Sequence, residues 1–91
     1  LSNLEKWLVK VAYGSLPDAS LQEAIRLYQK SLSLNPRFCL NYLELAKALH
    51  RKGDTVKARE LLRILAGMPD MISDDKLVKA EGKKLLDSWS R

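Results

Sequence analysis

Ninety-one residues, 46% hydrophobic and 30% charged, with 16 Lys and Arg against 11 Asp and Glu, describe one small globular domain with a net charge of +5. A single cysteine, Cys39, excludes an internal disulfide and fits a reducing compartment. No run is long or apolar enough to span a membrane and no N-terminal signal pattern is present, which predicts a cytoplasmic or cytosol-facing chain. Because it begins at Leu1 without Met, the chain is expected to be a segment of a longer protein, with any membrane anchor outside this fragment.

Leu1, Leu4, Leu8 and Val11 recur on one side of Leu1–Tyr13, with Trp7 adjacent, and predict a first helix. Gly14–Ala19, containing Pro17, predicts a loop. Ser20-Leu21-Gln22-Glu23 then has the form of a capping box, in which a hydroxyl and a carboxylate satisfy each other's backbone N–H. It predicts a helix from Ser20 to about Leu34. Phe38, Tyr42, Leu45, Ala46 and Leu49 again follow the 3.6-residue period, and Lys52-Gly53-Asp54 interrupts it. Gly53 supplies a left-handed helix end and Asp54 a cap for the next helix. That helix carries Ala58, Leu61, Leu62 and Leu65 and is stopped by Gly67 and Pro69. Ser73-Asp74-Asp75 predicts the last helix start, a hydroxyl followed by two carboxylates at the positive end of the dipole. Its apolar stripe is Val78, Gly82, Leu85, Leu86 and Trp89; its other side carries Lys76, Lys79 and Lys83.

The chain repeats at a spacing of 34 residues. Ala58 maps to Ala24, Leu62 to Tyr28, Leu45 and Ala46 to Val11 and Ala12, and Tyr42 to Leu8. Tyr42, Leu45, Ala46, Gly53, Ala58, Leu62, Leu65 and Pro69 resemble the tetratricopeptide repeat, with Leu62 and Leu65 as departures and Pro69 one place early. The resemblance implies an all-α fold of about five helices, built as helical hairpin repeats in a right-handed superhelical array. Residues 1–91 form a single domain in this reading: a degenerate first repeat over 5–36, a second over 39–70, and a capping helix over 73–91.

A narrower resemblance rests on the Trp-led first helix ending in Tyr13-Gly14, on Leu16-Pro17-Asp18-Ala19-Ser20 and Glu23-Ala24, and on Asn41 and the Gly53 turn. It continues through Met68-Pro69-Asp70, Asp74-Asp75-Lys76 and Leu85-Leu86. These residues are similar to the helical domain of the regulator of microtubule dynamics family. The resemblance implies association with microtubules and, in membrane-anchored members, with organelle contacts; it brings no catalytic residues.

Chemistry is sparse. There is no Gly-rich phosphate loop, no His or Cys pair at metal-ligand spacing and no nucleophile–base set, so no catalytic, cofactor or metal residues are assigned and no enzyme is expected. His50, among Lys47, Arg51 and Lys52, reads as a surface or groove-edge histidine without an orienting partner. Cys39 sits at a helix start, where the dipole can lower a thiol pKa, but a buried small hydrophobe is the better reading. Trp7 and Trp89 read as core or end-cap packing.

Lys47, Arg51, Lys52, Lys57, Arg59 and Arg63 face only Asp54 and Glu60 between residues 47 and 63. A solvated face accounts for this; an anionic partner is the functional alternative. On the helical wheel, Leu40, Leu43, Lys47, His50 and Arg51 fall toward the concave side of the array, an apolar strip edged with positive charge, with Leu43, Lys47 and Arg51 expected to be exposed in the free protein. Tetratricopeptide domains that grip a free carboxylate use Lys and Asn in the area occupied here by Leu43 and Glu44, so a carboxylate clamp is not supported. The expected function is a scaffold or protein-interaction module for an acidic or amphipathic protein or peptide, such as the acidic tail of tubulin. The alternative is a module for lipid or an anionic membrane. Nucleic acid is disfavoured, because basic residues are not interleaved with exposed aromatics.

Overall fold

The computed structural model describes residues 18–90, with side chains from Ser20 onward. Four helices and no strands occur among the described residues: α1 (Asp18–Leu34), α2 (Cys39–Lys52), α3 (Thr55–Ala66) and α4 (Asp75–Trp89). The helix expected over Leu1–Tyr13, with Trp7, lies outside them.

The α2–α3 hairpin forms as its residues dictate. Gly53 has φ 104°, the left-handed region that only glycine enters cheaply, and its N–H donates to the His50 carbonyl at 3.1 Å. Asp54 then caps α3, its carboxylate accepting from the Lys57 N–H at 3.2 Å. Ala46 and Ala58 are both fully buried, which lets α2 and α3 approach closely. Around them Tyr28, Cys39, Leu45, Leu49, Leu62 and Leu65 fill one continuous core with Leu21, Ala24 and Ile25 of α1. Leu65 is wholly removed from water, worth about 1.5–3 kcal/mol for a side chain of that size.

α2 packs against α1, α3 and α4, while α4 also packs on α3. The expected stripe of α4 is the face it uses: Gly82 is buried, and Val78, Leu85, Leu86 and Trp89 pack half-buried against the core.

Two helix starts differ from expectation. α1 is already helical at Asp18, the first described residue, so Ser20 lies inside the helix and does not cap it; Glu23 pairs with Arg26 one turn on. At α4, Asp74 makes no side-chain cap bond. Asp75, 2% exposed, turns its carboxylate back onto the preceding loop, one oxygen accepting from Met71 N–H at 2.6 Å and Ile72 N–H at 3.0 Å. These two bonds, Ile72 first, hold the Asp75 carboxyl below the usual carboxylate range.

Both loops that join the hairpin to its neighbours are tied down by side chains. Tyr42 Oη donates to the Pro36 carbonyl at 2.7 Å, and Asn41 Nδ2 to Ser31 Oγ at 2.8 Å, fixing Asn35–Phe38. Lys79 Nζ donates to the Met68 carbonyl at 2.9 Å and pairs with Asp70 at 2.6 Å, while Asp75 holds Met71 and Ile72. Lys79 is thus an internal tether and not part of a free lysine stripe.

Candidate functional site

The five residues expected to line a concave strip do not form an open one. Leu43 is 5% exposed and belongs to the core, and Leu40 is half-buried against it. Lys47 is half-buried, its ammonium 3.3 Å from Glu44. His50 is half-buried because Trp89 of α4 stacks on it, ring centroids 4.0 Å apart and planes within 4°. Arg51 alone is fully exposed. The expected exposure of Leu43 and Lys47 therefore does not hold. A helix with packed neighbours on three sides keeps little free face, and a helical wheel for one hairpin cannot register the third neighbour.

Behind the strip lies a polar cluster that the sequence reading left unassigned. Glu44 of α2 is 6% exposed; one carboxylate oxygen meets Lys47 and the other has no hydrogen-bond partner among the described residues. Tyr28 of α1 is 2% exposed and its hydroxyl is also without a partner among the described residues. Burial pushes the Tyr28 phenol far above its ordinary range, and the charge of Glu44 pushes it further. The Tyr28 hydroxyl therefore stays protonated near neutral pH. Cys39 is equally unreactive: it is fully buried, and burial, with the Asp75 carboxylate next, raises its thiol pKa. The helix-dipole effect on this thiol is overridden. Among the described residues no cluster of His, Cys, Asp and Glu is suited to hold a metal ion, and no helix is long and apolar enough to cross a membrane.

What stays open is the charged turn. Arg51, Lys52 and Lys57 are exposed around Gly53, and Arg63 is exposed further along α3. None of them makes an ion pair among the described residues, where the pairs are Glu23–Arg26, Glu44–Lys47 and Asp70–Lys79. Arg51 and Lys52 complement the negative end of α2. Lys57 does the reverse. It stands in the first turn of α3, a turn without an acidic residue, where the dipole is already positive and only the Asp54 cap opposes it. The two helix ends that meet at this turn carry opposite partial charges, so its positive field rests on the side chains of Arg51, Lys52 and Lys57.

The family described as Regulator of microtubule dynamics protein 1-3 matches residues 1–90. The chain belongs to that family. It is 27% identical over 92 aligned positions to Regulator of microtubule dynamics protein 2 of Rattus norvegicus, Mus musculus and Homo sapiens. Each alignment covers all of this chain and 22% of the relative, so the chain spans about a fifth of the length of the curated relatives it matches. No solved structure matches it.

Proposed function

We propose that this chain is a non-catalytic, tetratricopeptide-like protein-binding domain of a microtubule regulator, and that it docks an acidic segment, the tubulin tail foremost, on the turn between α2 and α3. The repeat reading is supported by the left-handed Gly53 turn, by Ala46 and Ala58 at the helix crossing, and by α4 packed beside α2 and α3 as a cap. The microtubule reading is supported by the names of the relatives. The observation that carries the site is that Arg51, Lys52 and Lys57 are exposed and make no ion pair among the described residues.

An exposed cation cluster contributes chiefly to the rate and salt dependence of association. The test is co-sedimentation with microtubules, intact and with their acidic tails removed, at low and moderate salt. The parent chain should pellet with intact microtubules and release as salt rises. Arg51→Glu with Lys52→Glu and Lys57→Glu should weaken this by about tenfold or more, since each reversal replaces attraction with repulsion. Equal pelleting of parent and triple variant, or indifference to the tails, would place the contact elsewhere. Flotation with anionic vesicles separates the membrane alternative: loss of vesicle binding alone in the triple variant would favour it.

A further inference from the structure

At the end of α2 opposite Gly53, the two tied loops stand side by side and enclose a cleft of about 370 Å3 lined by Asn35, Arg37, Phe38, Met71, Ile72 and Asp75. That volume lies at the small end of the range for ligand-sized clefts. Its apolar walls are the side chains of Phe38, Met71 and Ile72. Met71 is 53% exposed and Ile72 57%, and Phe38 is half-buried.

Exposed apolar side chains on a mobile loop are common, but these backbones are held. Asp75 fixes both Met71 and Ile72 through their N–H groups, Lys79 fixes Met68 and Asp70, and Tyr42 fixes Pro36. Two apolar side chains are thus presented to water on a rigid support, where docking would cost little ordering entropy.

The cleft also has one accessible charge. Arg37 is exposed at its mouth, with no ion pair among the described residues. Asp75, the other charged lining residue, is 2% exposed and its carboxylate is turned onto the loop amides, so it does not offer itself to a ligand. A guanidinium recognises a carboxylate through paired N–H donors.

We propose that this cleft docks a short acidic–apolar peptide: a large aliphatic side chain between Phe38, Met71 and Ile72, and a neighbouring carboxylate on Arg37. The site is separate from the α2–α3 turn and does not depend on its role.

The experiment is fluorescence polarisation of a labelled peptide carrying one Leu flanked by Asp residues, titrated with the 91-residue chain. Control peptides carry Ser for Leu or Lys for Asp. Saturable binding of the Leu/Asp peptide is expected, weakened about tenfold or more by either control change and by Arg37→Glu or Ile72→Asp. Both positions are exposed, so circular dichroism and melting should match the parent. Arg37→Glu should in turn prefer the Lys peptide. The proposal is overturned by absence of saturable binding, by equal binding of the controls, or by variants that bind as the parent does. A concentration-dependent dimer that Ile72→Asp dissolves would also overturn it, by assigning the cleft to a second copy of the chain.

Discussion

Gly82 and Leu65 touch so closely that a Cβ on Gly82 would lie 2.8 Å from Leu65 Cδ2, with Leu62 Cδ2 at 3.7 Å. This contact sets the distance between α4 and α3. Alanine in place of a mid-helix glycine ordinarily gains about 1 kcal/mol. Here the methyl meets the end of a side chain with no exposed surface, and overpacking of that kind costs about 1–3 kcal/mol. Gly82→Ala is therefore expected to destabilise by about 1 kcal/mol net in urea denaturation. A gain in stability would show that Leu65 moves aside freely.

Leu43→Ser tests the closure of the concave strip. An exposed leucine would tolerate the change within about half a kcal/mol. Buried as Leu43 is, the substitution leaves a void and an unpartnered hydroxyl, and about 2–5 kcal/mol should be lost. Any loss of binding in this variant would reflect unfolding, and a midpoint equal to the parent's would restore Leu43 to the surface.

The stack of His50 on Trp89 couples α2 to α4. Parallel aromatic pairs contribute about 0.5–1.5 kcal/mol beyond their buried area. A double-mutant cycle of His50→Ala and Trp89→Ala should return a coupling energy of that order. Additive effects would mean that the rings are neighbours without interacting.

Asp75 makes stability depend on acidity. Its folded pKa is depressed by the Ile72 and Met71 N–H groups, so its contribution is present above the unfolded value of about 3.9 and fades as pH falls through the lower folded value. The difference in melting temperature between parent and Asp75→Asn should be constant above about pH 5 and close below the ordinary carboxylate range. A gap that persists undiminished into strong acid would rule out the charge as its cause.

The hairpin was legible because its signals are local. Gly53, Asp54 and the two alanines act through their own backbone geometry, and the α4 stripe follows from period alone. Reach-back contacts were not. Asp75 serves a loop four residues upstream and Lys79 a carbonyl eleven residues upstream, whereas the sequence shows Asp75 only as a helix-start carboxylate and Lys79 only as one lysine of a polar face. The regulator of microtubule dynamics resemblance is borne out by the family match, whereas the exposure expected of Leu43 and Lys47 from one hairpin's wheel does not hold in the packed domain. The basic turn was visible as composition, but that it lacks ion-pair partners among the described residues could be read only from the folded chain.

His50 is followed directly by Arg51 and Lys52, which puts the Trp89 indole beside the cations proposed to receive a partner. The domain thereby carries its own optical probe. Trp7 is the other tryptophan in the sequence, so Trp7→Phe would leave Trp89 as the sole indole emitter. Its emission would register the arrival of an acidic segment at the turn without any added label, while a peptide seated in the cleft at the far end of α2 would leave it silent. A single light signal could thus tell the two surfaces apart in one titration.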